Sequence, residues 1–197
     1  MQRDRLAALA WDEGVDPSAP DARQVIDWAQ RFLGTSFARR LATAGPARIH
    51  RELPFLLRLE DGGGGNIHVT GQIDLLFEDE DSSALVVDYK TSERHPDGLA
   101  PYDFQLDCYA MAARQLVNSG VAVRTGIAFL QQRSPEPELR PPGSAETLSD
   151  FERQLTVAAS SLLSAAHRNE WTGQPKSRCE QIHCGYQYRC HANGRGV

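Results

Sequence analysis

Ala84-Leu85-Val86-Val87-Asp88-Tyr89-Lys90 is the stretch on which the reading of this chain turns. Four apolar side chains run without interruption and then give way to a carboxylate, a phenol and an ammonium. That is the pattern of a central strand, covered on both faces, whose last residues reach a functional edge. Side chains alternate along a strand, so Asp88 and Lys90 share one face and Tyr89 takes the other. The run just upstream places Val69, Gly71, Ile73, Leu75 and Phe77 on one face and Thr70, Gln72 and Asp74 on the other. An acidic turn from Glu78 to Ser83 joins the two runs as a hairpin. If the hairpin pairs normally, Asp74 lies beside Asp88 and Lys90.

Further out, residues 47–60 alternate Ile49, Leu53, Phe55, Leu57 and Leu59 with His50, Glu52, Arg58 and Glu60, a half-buried strand, and Asp61-Gly62-Gly63-Gly64-Gly65-Asn66 turns it back. Residues 21–43 read as two helices, with Gly34 as a stop and Thr35/Ser36 as a new N-cap. A helix over 102–118 ends at Gly120, a strand covers 121–131, a four-proline loop covers 134–143, and a long amphipathic helix covers 145–168. The order is α-α-β-β-β-α-β-α, an α/β chain with a mixed central β-sheet flanked by helices. Three segments follow: an N-terminal helical segment over 1–46, a core with its flanking C-terminal helix over 47–170, and a cysteine-containing tail over 171–197.

The composition suits a soluble globular protein. Of 197 residues 41% are hydrophobic and 24% charged, and no apolar run approaches the ~18 residues of a membrane span, so no membrane association is expected. The N-terminus lacks the apolar stretch of a secretory signal, and four cysteines are too few for a disulfide-stapled secreted scaffold. The expected compartment is the cytoplasm. A formal net charge of −5 argues against a protein coated in basic surface. The acids concentrate at Glu78-Asp79-Glu80-Asp81, however, and Arg39, Arg40, Arg48 and Arg51 are expected to form a separate basic neighbourhood that leaves room for a local nucleic-acid channel.

Two carboxylates converging at neighbouring strand ends make a site for a hard cation, and Mg²⁺ takes one or two carboxylates together with waters and a substrate phosphate. A lysine beside them can offset negative charge on a phosphate under attack. Taken singly, Asp88 with Lys90 reads as a strand-end ion pair and Asp74 as a solvated turn residue. Taken together they have no stability rationale, because charge at the edge of a core is costly. Gln105 and Tyr109, four apart on a helix, share a face. A tyrosine at that spacing is usually core, and Glu52 reads as a solvated strand carboxylate.

Gly71-Gln72-Ile73-Asp74-Leu75-Leu76, then Val86-Val87-Asp88-Tyr89-Lys90-Thr91, then Gln105-Leu106-Asp107-Cys108-Tyr109 resemble the G-x-x-D, D-Y-K-T and Q-x-x-x-Y motifs of RecB-like PD-(D/E)XK nucleases. Arg51-Glu52-Leu53-Pro54-Phe55 resembles the strand ahead of them in the C-terminal nuclease domain of AddA-type helicase–nucleases. The resemblance is close over residues 47–130 and loose in the tail. It implies a restriction-endonuclease-like α-β-β-β-α-β core and a Mg²⁺-dependent deoxyribonuclease, Mn²⁺ substituting, with exonuclease action expected ahead of endonuclease action. It also implies a place in DNA repair or recombination, with a helicase motor in the same polypeptide or complex. By the same likeness Asp74, Asp88 and the Tyr89 backbone carbonyl would hold the metal, Lys90 would position or activate the attacking water, and Gln105 and Tyr109 would act near the DNA backbone or brace Lys90.

The chain departs from that pattern in two ways. The family carries a metal-binding His on a helix ahead of the first core strand, in a Gly-Thr-x-x-His setting, and none stands here; His50 and His68 fall on strands and read as surface histidines. Either the chain starts beyond that helix or the metal has fewer ligands. A catalytically inactive nuclease-like DNA-binding or scaffolding module is the alternative function. No G-x-x-x-x-G-K-[ST] occurs, so any motor lies elsewhere. In the tail, Cys179, Cys184 and Cys190 with His183 or His191 have the chemistry of a zinc site but not its usual spacing. An iron–sulfur cluster would need Cys108, which sits inside the Gln105–Tyr109 helix, so free structural cysteines are the favoured reading.

Overall fold

The computed structural model describes residues 2–60, 65–79, 83–171 and 175–181. Contacts group them into two compact units, one of Met1–Leu59 with His68–Glu152 and one of Glu60–Ile67 with Arg153–Val197. These cut the chain differently from the three sequence segments, since the N-terminal helices belong with the sheet.

Three helices open the first unit: α1 (Gln2–Asp12), α2 (Pro20–Leu33) and α3 (Ser36–Thr43). Pro20 sits at the start of α2, where its missing N–H costs nothing. The expected stop and restart is present. The Gly34 N–H reaches the Gln30 and Arg31 carbonyls, while the Thr35 hydroxyl donates to the Phe32 carbonyl at 2.6 Å and accepts from the Ala38 N–H at 3.1 Å. One side chain thus ties the end of α2 to the start of α3.

Five strands follow, β1 (Ile49–Glu60), β2 (Asn66–Glu78), β3 (Ser83–Lys90), β4 (Ala122–Phe129) and β5 (Glu138–Leu139), and they lie in that order in one sheet. Strands β2 and β3 pair antiparallel from Glu78↔Ala84 to Leu75↔Val87. Strands β3 and β4 pair parallel from Ser83↔Ala122 to Lys90↔Phe129, and the crossover between them is α4 (Asp103–Leu116). Parallel neighbours need such a crossover, and it lays α4 across the sheet. The mixed, helix-flanked sheet is the α/β architecture expected from the sequence, with an α-β-β-β-α-β core.

Alternation splits the buried residues between two faces. On one face Phe37 of α3 packs with Leu75, Phe77, Leu85, Val87 and Ala128, and Phe32, Leu41, Tyr89 and Leu139 close around them. On the other, Leu106, Tyr109, Ala110 and Ala113 of α4 are buried along with Val86, Ile127 and Phe129 of the sheet. Each large side chain taken fully out of water contributes about 1.5–3 kcal/mol, so both faces anchor the sheet.

The sequence reading needs correction in three places. It found two helices ahead of the sheet where there are three, and it read 134–143 as loop where Glu138–Leu139 form β5 against Gly126 and Ile127. A Cβ at Gly126 would stand 2.1 Å from the Glu138 carbonyl oxygen, so only glycine lets β5 approach. Nor are Arg40 and Arg48 separate from the acidic turn. Arg40 pairs with Asp79, Arg48 Nε donates to the Glu78 carbonyl at 2.7 Å, and both guanidiniums lie over the Phe77 ring at 5.9 and 6.0 Å. Glu78 and Asp79 thus lie within reach of α3 and of the 3-10 turn after it, and these two cations are already engaged.

The helix α5 (Ala145–Arg168) has the extent read from the sequence, and the Ser144 hydroxyl caps it at the Thr147 N–H, 3.0 Å away. In the second unit its later turns accompany α6 (Lys176–Gln181), where Cys179 is buried. No helix among the described residues is long and apolar enough to cross a membrane.

Candidate active site

Asp88 and Lys90 end β3 on the face covered by α4, and Asp74 stands next to them on β2, one residue ahead of the part paired with β3. Period two brings Asp88 and Lys90 together: Lys90 Nζ lies 2.7 Å from Asp88 Oδ2. Asp74 Oδ2 accepts the backbone N–H of Tyr89 at 2.9 Å, taking up a donor on β3 two residues beyond the last position paired with β2, Leu75↔Val87.

The helix α4 supplies the rest. Gln105 Nε2 donates to Asp88 Oδ1 at 3.0 Å and to the Tyr109 hydroxyl at 2.8 Å, while Gln105 Oε1 accepts from Lys90 at 3.1 Å. The Tyr109 hydroxyl donates to Asp88 Oδ1 at 3.3 Å. A side-chain amide offers a donor to the carboxylate and an acceptor to the ammonium from one position. Gln105 and Tyr109, expected on one helix face, are both on this face and both touch Asp88.

The two oxygens of Asp88 therefore differ. Oδ1 is held by two donors, whereas Oδ2, buried, has the ammonium beside it but no directed hydrogen bond. Lys90 Nζ meets Oδ2 at 2.7 Å but off the directions of a regular hydrogen bond, so this oxygen is satisfied mainly by charge. Burial pushes the Asp88 carboxyl above its ordinary range and the Asp74 charge adds to this, against the opposing pull of Lys90 and Tyr109. Burial pushes the Tyr109 phenol up to about 12, so at neutral pH it is a donor. The Tyr89 phenol, pushed up to about 12 chiefly by burial, lies on the opposite face with its ring edge-on to Phe32 at 5.2 Å.

Among the described residues no group of three or more His, Cys, Asp and Glu side chains gathers as for a tightly caged metal. Two carboxylates lie close enough to interact, each with an oxygen that takes no directed hydrogen bond: Asp88 Oδ2, and the Asp74 oxygen that does not accept from Tyr89. That set, with a neighbouring backbone carbonyl, fits a hard cation that keeps waters of its own.

Two contributors were not read from the sequence. A Cβ at Gly71 would come 2.5 Å from the Phe55 ring, so the glycine of the G-x-x-D motif makes room for Phe55, which meets Tyr109 edge-on at 6.1 Å. Tyr102, in a 3-10 turn just ahead of α4, places its ring 5.5 Å from Lys90 Nζ. Both contacts join residues far apart in sequence, which local pattern does not report. Glu52, read as a solvated strand carboxylate, is exposed, accepts from Gln72 at 2.6 Å and has a left-handed φ of 49°. His50 pairs with Glu78 at 3.2 Å and His68 is exposed. Cys108 is buried in α4, its thiol pushed up to about 11 by burial, and Cys179 is likewise buried. Cys184, Cys190, His183 and His191 lie outside the described residues.

The profile of the PD-(D/E)XK nuclease superfamily matches residues 1–191. The chain belongs to the PD-(D/E)XK nuclease superfamily. Over 115 residues it is 32% identical to an ATP-dependent helicase/nuclease protein of Moorella thermoacetica, a match that covers 53% of this chain and 8% of that protein. The solved structure of SSO0001 aligns with 100% of this chain and 82% of its own at a TM-score of 0.47 and 13% identity. A chain from Eubacterium rectale aligns with 78% of this chain and 56% of its own at a TM-score of 0.46 and 10% identity. A helix does stand ahead of the first strand, in the place where the resemblance puts a metal-binding His. It is α3, introduced by Gly34-Thr35, and the position of that His in Gly-Thr-x-x-His is held by Ala38, which is buried.

Proposed function

We propose that this PD-(D/E)XK chain is a metal-dependent deoxyribonuclease domain with Asp74, Asp88 and Lys90 as its catalytic core. The observation that carries the reading is the asymmetry of Asp88: one oxygen locked by Gln105 and Tyr109, the other buried and held by the charge of Lys90 alone, without a directed hydrogen bond. A carboxylate kept this way gains nothing for stability. It is prepared for an added cation.

Asp74, Asp88 and the Tyr89 backbone carbonyl would hold that cation, and an all-oxygen set favours Mg²⁺, with Mn²⁺ as substitute. When bound, it supplies positive charge to the scissile phosphate and eases deprotonation of the attacking water. Gln105 and Tyr109 keep Asp88 from rotating, so that Oδ2 stays presented. Lys90, on the same face, orients the attacking water and offsets the charge that grows on the phosphate oxygens as they are attacked. Residues 69–91 thus carry the reacting groups while α4 holds them in place.

The finer assignment is a DNA exonuclease working in repair or recombination beside a helicase motor in the cytoplasm; of these, the partial match to the Moorella helicase/nuclease supports the association with a helicase. Release of fragments from linear single- and double-stranded DNA with Mg²⁺, alongside DNA binding with Ca²⁺, tests it. Cleavage that needs Mg²⁺ or Mn²⁺ and loss of cation binding in calorimetry of Asp74→Ala are expected. Ala38 in the place of a histidine ligand favours a second reading, a module that binds DNA and no longer cuts; tight DNA binding by a wild-type chain inert with every divalent cation would establish it instead.

A further inference from the structure

Asp88 Oδ2 is claimed twice. It is the open oxygen through which a cation would be held, and it is the atom that Lys90 Nζ faces at 2.7 Å. Two cations at one oxygen repel each other strongly in a partly buried site, where water screens poorly. Lys90 must therefore give ground when a divalent cation arrives, yet stay close enough to serve the phosphate.

Two other contacts hold its ammonium: Gln105 Oε1 at 3.1 Å and the ring of Tyr102, whose centroid is 5.5 Å away. That distance is within the ~6 Å at which a ring face attracts a cation. The ring is fixed in turn. It meets Phe129, a fully buried residue at the end of β4, edge-on at 5.9 Å, and the Tyr102 N–H closes a turn on the Leu99 carbonyl at 2.8 Å. The Tyr102 hydroxyl makes no hydrogen bond to a described residue, so the ring acts through its face. Tyr102 and Gln105 both belong to the opening turn of α4, where the helix dipole repels a cation and an aromatic face offsets it.

We propose that Tyr102 is a positioning residue for Lys90: its ring is the seat that keeps the ammonium at the site once a divalent cation has taken the Asp88 carboxylate. The inference rests on the metal-dependent reading above, and it can fail while that reading stands.

The chain has only two lysines, Lys90 and Lys176, so lysine-selective ¹³C labelling gives two side-chain methylene signals next to the ammonium. The Lys90 signal, identified by its loss in Lys90→Arg, should be ring-shifted upfield and should remain so, or move further upfield, when Mg²⁺ is titrated into the full chain. Tyr102→Phe should keep the shift, Mn²⁺ affinity and turnover within about twofold of wild type. Tyr102→Leu should abolish the shift and lower kcat about tenfold, the loss expected from about 1.4 kcal/mol, with KM for DNA and Mn²⁺ affinity within about twofold.

A Lys90 signal that moves to the position of Lys176 as Mg²⁺ saturates would overturn the proposal, since the lysine would then have left the ring. So would Tyr102→Phe losing as much turnover as Tyr102→Leu, which would place the role in the hydroxyl. If Tyr102→Leu does not fold, the Mg²⁺ titration of the wild-type signal still decides. Failure of the wild type to bind Mg²⁺ or Mn²⁺ at all would instead overturn the metal-dependent reading on which the inference rests.

Discussion

Strand β3 has two faces one residue out of step, and they are built to opposite ends. Leu85, Val87 and Tyr89 point into the cluster around Phe37 and Phe77, which is built of apolar and aromatic side chains and bordered at the Phe77 ring by Arg40 and Arg48. Val86, Asp88 and Lys90 point under α4, where a buried carboxylate, an ammonium, an amide and a phenol share one network. The first face lowers the free energy of the folded chain. The second spends part of it, because burial penalises the charged form of Asp88. Stability and chemistry are thus separated by the pleat of a single strand, and substitutions on the two faces should have opposite signatures.

The sharpest contrast comes from Asp88→Asn. The shape is retained and the charge lost, so cleavage with Mg²⁺ should fall about a thousandfold or more, since a metal clamp contributes several kcal/mol to the transition state. The thermal midpoint should hold or rise, because the variant removes a penalised charge. DNA affinity in Ca²⁺ should change much less than turnover. A variant that cuts as fast as wild type would remove Asp88 from the chemistry.

Phe77→Ala should do the reverse. Phe77 is fully buried in the cluster, and truncating such a side chain costs about 3–5 kcal/mol. Denaturant unfolding should show that loss, while the molecules that remain folded cleave at close to the wild-type rate per active site. A matching fall in kcat at temperatures where the variant is fully folded would mean that the two faces are coupled and the contrast is false.

How far this division could be read from sequence depends on the range of the contact. Alternation placed Asp88 and Lys90 together and Tyr89 opposite, and the i to i+4 spacing placed Gln105 with Tyr109, because both are properties of a strand or a helix alone. Gly34 and Thr35 were legible as stop and cap for the same reason. The β5 strand was not, since two residues between prolines form a strand only because Gly126, twelve residues earlier, leaves room for them. The expected separation of Arg40 and Arg48 from the acidic turn failed similarly, as their pairing spans 39 and 30 residues. Arg140 is a further case: from beside β5 it reaches Asp103 at 2.9 Å and Asp107 at 2.5 Å, fastening α4 from the side away from Gln105 and Tyr109. Nothing local in Glu138-Leu139-Arg140 announces that clamp.

Gly71→Ala falls between the two signatures, because its contacts lead from packing into the site. The added methyl would meet the Phe55 ring, the ring would shift, and its edge contact with Tyr109 would loosen. Overpacking of this kind costs about 1–3 kcal/mol. A Tyr109 hydroxyl displaced from Asp88 should also lower kcat about tenfold, roughly the 1–1.5 kcal/mol of one hydrogen bond. The double variant Gly71→Ala with Phe55→Leu should recover stability, since the smaller side chain clears the methyl, without recovering full turnover. Recovery of both would show that Phe55 only fills space.

The smallest effect is expected at Glu136, which serves the apolar face alone. Its carboxylate accepts the backbone N–H groups of Ser36 and Phe37, the latter at 3.2 Å, and so caps the first turn of α3, the helix that delivers Phe37 to the core. Burial by itself would raise its pKa, but those amides, the Ser36 side chain and the Arg39 charge outweigh it and hold the carboxyl below the usual range. A group whose folded pKa is depressed contributes stability that is present above its unfolded pKa and lost as pH falls through the folded value. Glu136→Gln should therefore lower stability by about 0.5–2 kcal/mol near pH 7, the usual value of a helix cap. The gap should close as pH drops below the ordinary glutamate range, because a protonated Glu136 and a glutamine accept alike. Urea midpoints of both proteins between pH 3 and pH 8 measure the gap directly. A gap that stays constant across that range would mean the charge is not what matters, and a fall in kcat at pH 7 would mean that the α3 side of the sheet reaches Asp88 after all.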